Sequence, residues 1–134
     1  MGTILLTSRA SIGDVGILKV ESCTNQGFQS LVAKESNSNE FLYYLILTLK
    51  QKILQNASGS TFLEISPSKL KSIKISVPKL PEQTAIATAL NDADTLIQKL
   101  EQLIAKKRNI KTGAMQALLK PKEGWEVNKL GQLC

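Results

Sequence analysis

The most regular hydrophobic pattern in the chain lies in its second half. Beyond Pro81, apolar residues recur at spacings of 4, 3, 4, 3 and 4, which is the heptad pattern of a coiled coil. The pattern ends before Lys120-Pro121 and predicts one helix over 81–119, about 57 Å long at 1.5 Å per residue. The residues before Pro81 are too few to cover such a stripe, so we expect a partner helix. The expected partner-helix interface comprises Ile86, Leu90, Ala93, Ile97, Leu100 and Ile104.

Before this helix the pattern is that of a small mixed α/β unit. Short apolar runs bounded by turn residues predict strands at 3–7, 16–20 and 27–32. Asn39 is a candidate N-cap, and the apolar residues after it have helical spacing, which predicts a helix of about 15 residues.

A second group of short elements completes this portion. Residues 60–65 predict another strand, Ser66-Pro67 opens a helical turn, and 73–77 alternates as a strand does. The predicted class is therefore α+β, a small mixed α/β portion followed by one long coiled-coil helix.

The net charge suggests a polyanionic partner, and the composition suggests a cytoplasmic location. The chain of 134 residues has 17 Lys and Arg against 11 Asp and Glu, a formal net charge of +6, which favours polyanions such as DNA. Its two cysteines suit neither a disulfide framework nor a metal site. The longest apolar run is too short to span a bilayer, so the expectation is a cytoplasmic protein with no membrane partner.

The commonest general base and the common catalytic motifs are missing. There is no histidine, and no glycine-rich phosphate loop, hydrolase elbow or zincin motif occurs. Asp92 and Asp94 are two positions apart on the predicted helix and point in different directions. We therefore expect no enzymatic activity, no cofactor and no metal.

Four segments, in order, carry a resemblance to a known family. They are Gly2 to Gly13, Thr24 to Phe28, Ala57 to Phe62 with Ile65-Ser66, and Val77 to Gln83. Together with the helix ending Lys111 to Leu119, they resemble the specificity subunits of type I restriction-modification enzymes over nearly the whole chain. Pro81 and Glu82 suit a helix start, which makes the last of the four segments the most specific.

The resemblance implies an organisation and a set of partners. Residues 1–80 would be part of a target recognition domain, 81–119 a spacer helix, and 120–134 the start of a following recognition domain or a tail. The implied partners are double-stranded DNA, methyltransferase (modification) subunits and, through them, the restriction subunit. An isolated chain of this kind is expected to form a homodimer through the long helix.

Polar and basic residues in the predicted loops are the candidates for DNA contact. Arginine suits guanine, and Asn or Gln suits adenine, while Ser and Lys suit phosphate oxygens. The same residue types also occur in turns for backbone reasons alone. The candidates are Ser8, Arg9, Ser11, Asn25, Gln26, Lys69, Lys71 and Lys74.

Two other functions are compatible with parts of the pattern. A homo-oligomeric coiled-coil adaptor with no role in DNA binding would also need the heptad helix. A stand-alone repressor would need a helix-turn-helix, for which the sequence has no signal. Binding to a methyltransferase subunit discriminates the specificity subunit from the adaptor.

Overall fold

The computed structural model describes residues 2–59 and 63–134 and confirms the α+β class. Strands β1 (Ile4–Thr7), β2 (Val15–Ile17) and β3 (Phe28–Leu31) form an antiparallel sheet with the order β2-β1-β3 among the described residues. All three strands lie within the predicted runs or begin one residue before them. In the central strand β1 the predicted apolar run is buried at Ile4 and Leu6 and half-buried at Leu5 and Thr7.

The register of the sheet determines which loops are neighbours. Ile4 pairs with Ile17 and with Leu31, whereas Thr7 pairs with Phe28 at the opposite end of β1. The loop between β1 and β2 and the turn before β3 therefore lie at the same end of the sheet. We call this the Thr7 end.

Two helices follow where one was predicted. They are α1 (Asn39–Thr48) and α2 (Lys50–Asn56), separated at Leu49, whose N–H donates to the Ile46 carbonyl in a tighter turn. The predicted N-cap, Asn39, is wrong by one residue. The Ser38 hydroxyl accepts from the Phe41 N–H instead, and Asn39 is the first residue of the helix.

Only part of the prediction for residues 60–77 is confirmed. Helix α3 (Pro67–Ser72) begins with Pro67 in its first turn, as predicted. The strand predicted at 73–77 is wrong, because these residues have no strand partner within the described part of the chain; the Lys74 carbonyl instead accepts from Lys52 Nζ at 2.8 Å. Of the strand predicted at 60–65, residues 60–62 lie outside the described residues, and Glu64 forms isolated bridges to Arg9 and Ser58.

The core lies between the sheet and the short helices. Leu6, Ile12, Ile53 and Ile65 are buried together there, with half-buried apolar side chains from β3, α1, α2 and α3 around them. Burying such side chains contributes most of the stability of a small domain. The core therefore fixes β1 and the residues directly after it.

Helix α4 (Leu80–Leu118) is the long helix that the heptad pattern predicted. The chain divides into two compact units, Met1–Ala93 and Asp94–Cys134. In the first unit, Gln83 and Ala87 of α4 are buried, and the Tyr44 hydroxyl donates to Asn91 Oδ1 at 2.9 Å. In the second unit a short 3-10 helix, Leu130–Gln132, follows α4. No helix in the described part of the chain is both long and apolar enough to cross a membrane.

Candidate nucleic-acid interface

Ser8 brings three segments together at the Thr7 end. Its N–H donates to the Gly27 carbonyl at 2.8 Å, and its carbonyl accepts from the Ile65 N–H at 3.1 Å. The loop after β1 therefore lies between the Asn25–Gly27 turn and the Glu64–Ile65 segment. Three parts of the chain that are distant in sequence thus form one surface.

The loop between β1 and β2 is held in one conformation by its own polar groups. The Thr7 hydroxyl donates to the Ser11 carbonyl and accepts from the Asp14 N–H, and the Gly13 N–H donates to the Thr7 carbonyl. Ala10 has a φ of 56°, a left-handed conformation that costs free energy in any residue with a Cβ. These hydrogen bonds fix the backbone of the loop from which the exposed residues Arg9 and Ser11 project.

Arg9 is oriented by an acidic neighbour that the sequence did not point to. Its Nε lies 3.0 Å from Glu64 Oε1, and the two residues also form a backbone bridge. The side chains are 45% and 39% exposed, so the pair lies at the surface. Arginine binds phosphate oxygens and guanine edges through a planar set of donors, which makes its orientation important for either ligand.

The turn before β3 and the start of α3 supply the other polar groups near Arg9. Asn25 Oδ1 accepts from the Gly27 N–H at 2.9 Å, which shapes the turn, and Gln26 is exposed beside it. Lys69 Nζ donates to Ser58 Oγ at 3.1 Å, and Ser58 is paired through its backbone with Glu64. We call the surface formed by five of the predicted DNA-contacting residues the Arg9 surface. Its members are Arg9, Ser11, Asn25, Gln26 and Lys69.

Three predicted DNA-contacting residues lie outside the Arg9 surface. Ser8 is only 1% exposed, so the expectation that its side chain meets DNA needs correction: its place is structural. Lys71 lines an apolar cavity with side chains of β3, α1 and α2. Lys74 is exposed, with its backbone next to Lys52.

An ion pair links the loop between β1 and β2, which we call the Arg9 loop, to the start of helix α2. Lys50 Nζ lies 2.6 Å from Asp14 Oδ1, and the hydrogen bonds from Lys50 and Ser11 together with the charge of Lys50 lower the pKa of the Asp14 carboxyl below its usual value. A carboxyl whose pKa is lower in the folded state stabilises the fold above its unfolded pKa, and loses that effect as the pH falls through the folded value.

We therefore expect Asp14→Asn to lower the melting temperature slightly at neutral pH, because exposed ion pairs contribute little. The difference from wild type should vanish in strong acid, where the wild-type carboxyl is protonated. Thermal melts of both proteins across the acid range measure this. A difference that is the same at every pH would contradict the assigned role of the Asp14 charge.

The predicted interface on α4 divides between the two compact units. In the first, Ile86 and Leu90 line a small apolar groove with Phe41, Tyr44 and Leu45 of α1, so part of their surface is covered within the chain. In the second, Ile97 is 52% and Leu100 49% exposed, and Ile104 is similarly exposed. We call the exposed apolar face formed by Ile97, Leu100 and Ile104 the seam. Leu96, Leu103 and Ile110 lie beside it and are also exposed.

One residue at the start of α4 has a structural importance that the sequence did not reveal. Gln83 is 1% exposed, and its side-chain amide binds Ser38, Asn37 and Pro78. A polar residue near a helix start is ordinarily read as exposed, which is why the pattern did not identify it. For metal binding, the described residues hold no group of three or more His, Cys, Asp or Glu that could bind an ion.

Comparison with known proteins gives consistent matches. Residues 1–108 match the family model described as the type I restriction modification DNA specificity domain. The chain is 46% identical over 99 residues to the type I restriction enzyme MjaIX specificity subunit of Methanocaldococcus jannaschii, covering 72% of this chain and 23% of that protein. It is 29% identical over 106 residues to the EcoR124I/EcoR124II specificity subunit of Escherichia coli, covering 75% of this chain and 26% of that protein.

A solved structure agrees with these matches. The chain superimposes on the type I restriction-modification S subunit of M. genitalium with a TM-score of 0.72 and 26% identity, covering 87% of this chain and 32% of that one. The chain thus spans about a quarter of the length of the curated relatives described above.

Proposed function

This chain belongs to the family of type I restriction modification DNA specificity domains, and on that premise we propose that it binds double-stranded DNA through the Arg9 surface and holds methyltransferase subunits through α4. It performs no catalytic step itself. The single observation that supports DNA binding most directly is the convergence of Arg9, the Asn25–Gly27 turn and Lys69 at the Thr7 end of the sheet.

The proposed division of labour follows the sequence. Residues 1–80 are part of a target recognition domain, 81–119 form the spacer helix, and 120–134 begin a following recognition domain or form a tail. Phosphate contacts fix the position of a protein on the duplex, and base contacts select the sequence. Ser11 and Lys69 suit phosphate, whereas Arg9, Asn25 and Gln26 suit base edges.

The seam on α4 supports the proposed protein partners. Ile97, Leu100 and Ile104 expose apolar surface at heptad spacing, and burying such surface drives helix association. In the complete enzyme we propose that this surface helps to bind methyltransferase subunits, and through them the restriction subunit. In the isolated chain we propose that a second copy covers it.

Charge along α4 favours an antiparallel pair of copies. Acidic residues lie toward the beginning of the helix and basic residues toward its end, so an antiparallel partner brings opposite charges together and a parallel partner brings like charges together. The acidic residues of the first half are Glu82, Asp92 and Asp94, and the basic residues toward the end are Lys106, Lys107, Arg108 and Lys111, while Lys99 and Glu101 lie near the middle.

The decisive experiment is co-expression with a type I methyltransferase subunit, followed by size exclusion and a duplex titration over a salt series. We expect a complex of the two proteins and an affinity for DNA that falls steeply with salt, because counterions are released from the phosphates. A chain that self-associates but binds neither the methyltransferase subunit nor the duplex would be an adaptor, and the proposal would be wrong.

Arg9→Ala is expected to weaken duplex binding about tenfold, which corresponds to the loss of one good arginine contact. Fluorescence anisotropy with a labelled duplex measures the change. Lys34→Ala is the matched control, since it also removes one exposed positive charge but follows β3 beyond Leu31, at the end of the sheet opposite Thr7. Equal losses for the two variants would show that only net charge matters and would contradict the assignment of the surface.

A further inference from the structure

The structure shows an acidic residue in the middle of a surface that is proposed to bind a polyanion. Glu64 contacts Arg9 on the Arg9 surface, where its negative charge repels phosphate. An acidic residue in this place therefore lowers affinity unless its contact with arginine has a compensating use. We infer that Glu64 is a positioning residue, which holds the Arg9 guanidinium in the orientation that meets the duplex.

Backbone hydrogen bonds hold the segment around Glu64 independently of its carboxylate. The Glu64 N–H donates to the Ser58 carbonyl at 3.0 Å, and the Glu64 carbonyl accepts from the Ser58 N–H at 2.9 Å. The next residue, Ile65, is fully buried and donates its N–H to the Ser8 carbonyl. The segment is thus fixed by main-chain bonds and core packing, and an exposed ion pair adds little to stability.

The geometry of the contact explains how Glu64 acts through Arg9. Glu64 Oε1 approaches Nε, at one edge of the planar guanidinium. The attraction between the two charges draws the Nε edge of the guanidinium toward Glu64 and leaves the Nη donors for a second acceptor. The side chain of a long, flexible arginine is therefore ordered before the duplex arrives, which lowers the entropy lost on binding.

The surroundings place the ordered guanidinium next to the other candidate contacts. Ser8 connects the Arg9 loop on one side to Gly27, in the turn that carries Asn25 and Gln26, and on the other side to Ile65. Glu64 contacts Arg9 and is paired through its backbone with Ser58, whose hydroxyl accepts from Lys69 Nζ. This inference rests on the proposed function, because it concerns the same DNA-binding surface.

The test compares two substitutions for which positioning and repulsion predict opposite results. Glu64→Ala removes the contact and the negative charge, and Glu64→Gln removes the charge but keeps a side chain of the same length, with an amide oxygen in place of a carboxylate oxygen. If Glu64 positions Arg9, the Glu64→Ala variant should bind the duplex at least about threefold more weakly than wild type. The affinity of Glu64→Gln should lie between those of wild type and Glu64→Ala. If Glu64 only repels phosphate, both variants bind tighter by a similar factor.

The duplex used is the sequence that the wild-type chain enriches from a randomised pool, with a mixed-sequence duplex as control. In an Arg9→Ala background, Glu64→Ala should no longer weaken binding, since the group that it positions is absent. Melting temperatures close to wild type in all variants show that the fold is intact. Tighter binding by Glu64→Ala, or an equal loss with and without Arg9, overturns the inference and leaves the proposed function standing. Failure of the wild-type chain to bind or enrich any duplex overturns the proposed function and the inference with it.

Discussion

Ile97→Lys combined with Leu100→Lys is expected to convert a self-associating chain into a monomer. Both side chains are about half exposed on α4, and each is covered by a partner in the proposed antiparallel pair. Burial of an Ile or Leu side chain contributes about 1.5–3 kcal/mol, and a buried lysine adds a desolvation cost. Since each substitution occurs in both copies, the dissociation constant should rise by about a thousandfold or more. Sedimentation velocity over a concentration series measures it.

The matched control changes the same number of charges on the same helix. Gln98→Lys combined with Gln102→Lys adds two lysines at exposed positions that are turned away from the seam. We expect this control to self-associate almost as wild type does. A wild-type chain that stays monomeric at every concentration, or a control that dissociates as fully as the seam variant, would show that the seam is not the interface.

The long helix could be predicted from the sequence because its signal is local and repeated. Each heptad repeats the same apolar spacing, and Lys120-Pro121 ends the pattern. The predicted helix, 81–119, therefore agrees with α4 to within one residue at each end. Strand β1 was also predictable, since a short apolar run bounded by turn residues is typical of a buried strand. Both elements carry their own signal and need no knowledge of a neighbour.

The errors concern elements that depend on a neighbour. Residues 73–77 alternate as a strand does, but a strand needs another strand beside it, and in the described structure a lysine side chain takes the Lys74 carbonyl instead. Ser38 and Asn39 are both good N-caps by residue type, and only the three-dimensional position of the Phe41 N–H decides between them. The helix break at Leu49 occurs without any Gly or Pro nearby, so the sequence has no local signal for it.

For the candidate site, the residue types could be predicted from the sequence, but their arrangement could not. Arginine, Asn and Lys in loops were recognisable as DNA-binding residue types, but their meeting at one end of the sheet follows from the register of β1 with β2 and β3. Ser8 follows β1 directly and could not be distinguished by sequence from an exposed loop residue, although it is buried. Nothing in the sequence pointed to Glu64, because an acidic residue does not suggest a DNA-binding surface.

Gln83→Leu is expected to lower the free energy of unfolding by about 2–3 kcal/mol, because leucine fills the space but cannot replace buried hydrogen bonds. Gln83 Oε1 accepts from the Ser38 N–H at 2.9 Å, and Nε2 donates to the Pro78 carbonyl at 2.9 Å and to Asn37 Oδ1 at 3.2 Å. The substitution therefore leaves the Ser38 N–H, at the N-cap of α1, and the Pro78 carbonyl, before α4, without their Gln83 partner. Urea unfolding measures the change in midpoint.

The matched control is Gln102→Leu, the same change on an exposed position of the same helix, where an effect within about 0.5 kcal/mol is expected. Because Gln83 ties the first turn of α4 to the segment that caps α1, its loss should also change the spectrum of backbone amides around Ser38. Ser38→Ala separates the loss of the α1 cap from the loss of the Gln83 hydrogen bonds. It removes the hydroxyl that caps α1 but keeps the Ser38 N–H that donates to Gln83. Equal unfolding midpoints for Gln83→Leu and Gln102→Leu would mean that these hydrogen bonds do not anchor α4.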